Sequence, residues 1–116
     1  MLSHALEQGV LVITVYGETR IDGRARLLAK IGDLIHAYKP TPVVIVLDDS
    51  EAGGVMTSLV VRAHCMCSSL GVLMSVATHS APMRRLLEAS ADSDTHLVIH
   101  ARADIAVSAA ALAASV

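Results

Sequence analysis

The chain has no phenylalanine and no tryptophan, and its only tyrosines are Tyr16 and Tyr38. It therefore lacks the stacking platforms on which proteins hold single-stranded nucleic acid, and its core must be built from Val, Leu, Ile, Ala and Met. No basic cluster exceeds Arg84-Arg85, and the net charge is −2, which argues against nucleic acid as the main partner. Charges interrupt every apolar run well before the roughly 18 residues that a membrane span needs, and no signal-peptide pattern is recognisable. There is no Gly-x-x-x-x-Gly-Lys-Ser/Thr phosphate loop, and Lys30 and Lys39, the only lysines, lie on or just after the first predicted helix. No Gly-x-Ser-x-Gly elbow occurs either. An enzyme is not expected, and no cofactor is implied.

Cysteine is scarce as well. Cys65 and Cys67 lie one residue apart on a predicted helix, where positions i and i+2 point about 200° apart. They should form neither a disulfide nor a shared metal site. The pair is expected to be buried thiols in a reducing compartment, the cytoplasm by default. The six histidines fall on different elements with no metal-binding spacing and are expected at surface or boundary positions. His96 and His100, on one predicted strand, would stand about 13 Å apart.

What is present is a single-domain length of 116 residues, 53% apolar, with mean hydropathy +0.58, enough for one packed core. The chain is organised around Val43 to Gly71. Val43 to Leu47 is an apolar run fenced by Pro42 and Asp48, the signature of a strand covered on both faces. From Val55 the period changes: Leu59, Ala63, Cys67 and Leu70 recur as on one helix face, and Gly71 is a helix stop. Thr57 and Ser58 are thereby set near a helix N-terminus. Its unpaired N–H groups and positive dipole end favour an anion. A hydroxyl there can cap the helix, receive a phosphate or help hold one, and capping is the plainer alternative.

The remaining elements alternate. Ala5-Leu6-Glu7 can add a short edge strand, and Gly9 to Gly17 is a strong one. Arg24 to Tyr38 is an amphipathic helix with Leu27, Leu28, Ile31, Leu34 and Ile35 on its apolar side. Val72 to Ala77 is a strand, and Ser80-Ala81-Pro82 an N-cap opening a helix to about Ala89. Asp92, Ser93 and Asp94 form a turn. Leu97 to Ile99 is a short strand, and Asp104 to Ala114 an Ala-rich helix. The predicted class is α/β, a mixed, mostly parallel four- to five-stranded sheet with about four helices. In such sheets function concentrates at the carboxyl ends of the strands, here Asp48 to Ser58.

Over Val10 to Ala114 the chain resembles a STAS domain, the module named for sulfate transporters and anti-sigma factor antagonists. Gly17-Glu18 matches the family's Gly-Glu turn. Val44 to Ser50 resembles its strand and Asp-Leu-Ser segment, with Asp48 and Ser50 kept and Asp49 between them. Val55-Met56-Thr57-Ser58-Leu59 falls on the Ile-Asp-Ser-Ser-Gly phosphorylation loop, and Met83 to Glu88 resembles the Val-Arg-Arg-Leu-Leu-Glu helix. The resemblance implies a STAS fold and a non-enzymatic switch. Such a protein binds an anti-sigma factor, often a serine kinase, and so releases a sigma factor. Ser58 falls on the phosphoacceptor position and Thr57 on its hydroxyl neighbour. Asp48, Ser50, Met56, Thr57, Ser58, Leu59 and Arg62 are the implied partner-binding residues. The sequence departs from the motif where Met56 replaces the aspartate and Leu59 the glycine, setting a bulky side chain where a partner would approach. Two alternatives are a degenerate, unphosphorylated subunit of a signalling scaffold or lipid-transport complex, and a small nucleotide-binding or enzymatic domain using Asp48-Asp49 with magnesium.

Overall fold

In the computed structural model, residues 2–16, 21–48, 54–90 and 97–114 are described, with residues 21, 22, 24, 48, 54 and 55 described by their backbone alone. Strand β1 (Leu2–Glu7) and strand β2 (Val10–Tyr16) form a hairpin. Its two-residue turn, Gln8-Gly9, has positive φ at both positions, 54° and 75°. That is the mirror-image turn whose twist suits antiparallel strands, with glycine at the second site where a side chain would be strained. The edge strand is thus six residues long, not the three expected from Ala5 to Glu7. Burial could not betray it, because all of β1 beyond Leu2 is exposed.

From β2 onward the chain alternates: α1 (Ile21–Tyr38), β3 (Val43–Asp48), α2 (Gly54–Ser69), β4 (Met74–Thr78), α3 (Ala81–Ser90), β5 (Val98–His100) and α4 (Ala103–Ala114). The sheet order is β1-β2-β3-β4-β5, with β2 to β5 parallel and β1 antiparallel. The fold is therefore α/β, a five-stranded mixed and mostly parallel sheet with four helices. Each parallel step advances in the same direction, so right-handed crossovers put α1, α2 and α3 on one face. There Leu11, Ile13, Val15, Val43, Ile45, Leu47, Met74 and Val76 meet Ile31, Ile35, Leu59, Ala63, Cys67, Met83 and Leu87. After β5 the chain turns to the opposite face, where Ala106 and Val107 of α4 cover Val10, Val12, Val44 and Ala77.

Helix ends follow local chemistry. Ser80 Oγ accepts the N–H of Met83 at 3.2 Å, the N-cap expected for α3. At the end of α2, Val72 N–H donates to Cys67 O at 2.8 Å and Gly71 N–H to Ser68 O at 3.2 Å, with Gly71 at φ 71°. This double bond pattern around a left-handed glycine satisfies two carbonyls that the helix leaves open. Strand β4 starts at Met74, two residues later than expected, because Val72 closes that cap.

Two expectations about side chains on α2 are corrected. Only Cys67 is buried, while Cys65 is exposed, as their opposed directions require. His64 is buried at 9% exposure rather than at the surface, since it lies four residues after Val60 on the covered stripe. Of the other histidines, His4, His36 and His79 are exposed and His100 is half-buried. His96, Gly17-Glu18 and the Asp92-Ser93-Asp94 turn lie outside the described residues.

Candidate partner-binding site

The carboxyl end of β3 and the start of α2 set the geometry of the candidate site. Asp48 ends β3 in register with Tyr16 of β2, while Asp49 and Ser50 lie outside the described residues. Helix α2 starts at Gly54, one residue earlier than the periodicity suggests. Ser58 is consequently its fifth residue, in the second turn rather than at the mouth.

The predicted residues divide by burial. Met56 is 4% exposed, Thr57 7% and Leu59 0%, whereas Ser58 is half-buried and Arg62 exposed. Residues 56, 59, 60, 63 and 67 share the inward face at helical spacing, so Leu59 packs against the sheet. Contrary to the expectation from the sequence, its side chain does not stand where a partner would approach, because it is fully buried in the core. Thr57 is likewise buried. Ser58 and Arg62, four residues apart, are neighbours on the outer stripe.

That stripe borders a groove between α1 and α2. Ala25, Leu28, Ala29, Gly32, Asp33 and His36 line it from α1, and Arg62 and Met66 from α2. The groove exists because Gly32 and the alanines present little side chain to the solvent-side seam of two helices. Asp33, His36 and Met66 carry no motif or spacing in the sequence that marks them for this place. Only the pairing of α1 with α2 brings them beside Arg62.

A second concavity, of about 460 Å³, opens on the α4 face of the sheet beyond the end of that helix. Ser3, Thr14 and Tyr16 line it from the hairpin and Thr78 and His79 from the end of β4. Ser3 Oγ donates to the Tyr16 hydroxyl at 3.1 Å. Arg84 reaches back to donate from Nη1 to Thr78 O at 2.9 Å, and Thr78 Oγ1 accepts the Ser80 N–H at 3.2 Å, so the β4 end is tied to α3. The alternation of Thr14 and Tyr16 with apolar neighbours is the one sequence signal for this polar half-face.

Among the described residues no group of three His, Cys, Asp or Glu side chains could hold a metal ion. No helix there is long and apolar enough to cross a membrane. The Cys67 thiol is pushed up to about 11 by burial, which keeps it protonated and inert at neutral pH. No protein-family model matches the chain, and no curated protein does so either.

Proposed function

We propose that the chain is a STAS-type regulatory switch, an anti-sigma factor antagonist that binds an anti-sigma serine kinase through the outer stripe of α2. Phosphorylation of Ser58 weakens that contact. The sequence resemblance supports this reading, and the five-stranded mixed sheet with four helices agrees with the fold that the resemblance implies. One observation carries the site assignment: of Met56, Thr57, Ser58, Leu59 and Arg62, only Ser58 and Arg62 reach solvent, one helical turn apart.

The physical mechanism follows from that spacing. A phosphate adds about −1.5 to −2 charges at neutral pH and three strong acceptor oxygens. At Ser58 it lies within reach of the Arg62 guanidinium, which pairs readily with phosphate. A partner that uses Arg62 thereby loses a cation and meets a doubly charged anion at once. A loss of about 3 kcal/mol would reduce affinity roughly a hundredfold.

A constitutive form of the same module, never phosphorylated, is favoured by one feature. Ser58 is the fifth residue of α2, just past the open N–H groups of the first turn, so a phosphate there gains less from the helix end. Affinity capture with wild type, Ser58→Asp and Arg62→Glu as baits tests the switch. Wild type is expected to retain an anti-sigma kinase, and both variants to lose it. Intact-mass measurement after incubation with that kinase and ATP separates the phosphorylated from the constitutive form. Equal retention by all three baits would move the interface off this stripe.

A further inference from the structure

We propose that β1 pairs with β1 of a second copy, joining two five-stranded sheets edge to edge across a two-fold axis at His4. The hydrogen-bond polarity of the hairpin sets which backbone groups of β1 face outward, whatever the role of Ser58. Leu11 N–H donates to Pro42 O at 2.9 Å, towards β3. Backbone groups along a strand alternate sides, so those of Val10, Val12 and Thr14 turn to β1. Their register partners Glu7, Ala5 and Ser3 exchange the hairpin's bonds. The N–H and C=O groups of Leu2, His4 and Leu6 consequently point out of the sheet.

Among the described residues no strand pairs with this edge, and sheet edges left so are usually blunted by shortness, lysine, proline or a bulge. The opposite edge obeys: β5 has three residues. Strand β1 has six, pairs with β2 without a bulge from Leu2↔Val15 to Glu7↔Val10, and contains neither Pro, Lys nor Arg. Leu6 stands on it 56% exposed.

A second copy fits this edge because the edge is self-complementary. Antiparallel pairing centred on His4 puts every outward-facing residue opposite another: Leu2 against Leu6 of the second copy, His4 against His4, and Leu6 against Leu2. This register aligns all three sets of open backbone groups and covers Leu6 with leucine. On the other face it sets Ser3 against Ala5, two small side chains. The two Glu7 carboxylates stay about 20 Å apart along the strands, beyond the screening length at physiological salt. Edge pairing alone is smaller than a standard interface, so the dimer is weak, with dissociation in the micromolar range.

Sedimentation of the full chain from about 1 μM to about 1 mM covers the range expected for so small a contact. A reversible dimer should form. Leu6→Lys, a charge on an already exposed position, should raise the dissociation constant at least about tenfold. His4→Pro should do the same by deleting an outward N–H that β2 does not use. Leu73→Lys, at an exposed leucine away from this edge, should dimerise like wild type. Circular dichroism of each variant checks that the monomer is folded. If Leu6→Lys unfolds, hydrogen exchange on the wild type decides: the Leu2, His4 and Leu6 amides should gain protection with concentration. A monomer at every concentration, a dimer indifferent to Leu6→Lys and His4→Pro, or protection that ignores these three amides would overturn the proposal. So would a strand from another protein on this edge while the chain alone stays monomeric.

Discussion

A Cβ built on Gly32 of α1 would stand 3.2 Å from both Sδ and Cε of Met66 on α2. The two helices meet at that point, and the thioether fills the space a side chain would otherwise take. Methionine is flexible and half-exposed here, so its end can shift by a few tenths of an ångström.

Gly32→Ala tests the balance. Replacing a mid-helix glycine by alanine gains about 0.5–1 kcal/mol, and moving the Met66 tip costs less than that. Net stabilisation of roughly 0.5 kcal/mol is expected in urea unfolding. Gly32→Leu should instead destabilise by about 1–3 kcal/mol, because it overfills the seam.

Placing at position 59 the glycine that the resembled STAS motif carries should damage the fold. Leu59 is fully buried against the sheet. Truncating such a leucine costs about 2–5 kcal/mol, and glycine within a helix adds roughly 1 kcal/mol more. Leu59→Gly should unfold at markedly lower denaturant than wild type. Ser58→Asp, partly solvated one residue earlier, should stay within about 1 kcal/mol of wild type. A Leu59→Gly protein as stable as wild type would contradict the burial of this side chain.

The two thiols should behave oppositely. Cys65 is exposed and should react promptly with a thiol reagent at neutral pH, whereas Cys67 should react only on unfolding. Burial raises the Cys67 pKa from 9.0 to about 11. Above pH 9 the unfolded chain therefore releases a proton that the folded chain retains. The stability linked to this thiol is complete below pH 9 and is lost as the pH rises towards about 11. Cys67→Ala should flatten that part of the stability profile, measured by thermal melting across this range.

Much of the fold was legible locally. The β-branched run Val43 to Leu47, the three–four spacing of Leu59, Ala63 and Cys67, the Ser80 cap and the Gly71 stop each carry their own physical signature, and each element forms where its signature lies. The edge strand was not legible beyond Ala5 to Glu7, because a strand exposed on both faces has no hydrophobic alternation. His64 escaped for a different reason: its burial depends on which helical stripe the sheet covers. The candidate site was legible as a segment but not as a surface. Of the seven residues that the motif points to, Met56, Thr57 and Leu59 are buried, Ser58 is half-buried and Arg62 is exposed, a division that the sequence does not show.

The amino-acid sequence by itself determined the order and kind of the elements, since periodicity, caps and turn residues act over a few neighbouring positions. Tertiary structure alone decided which helical stripe faces solvent, that Met66 and Gly32 share a seam with Arg62 at its rim, and that β1 is the terminal strand of the described sheet. Those outcomes depend on packing between segments distant along the chain, where burial is shared by partners that neither segment encodes alone.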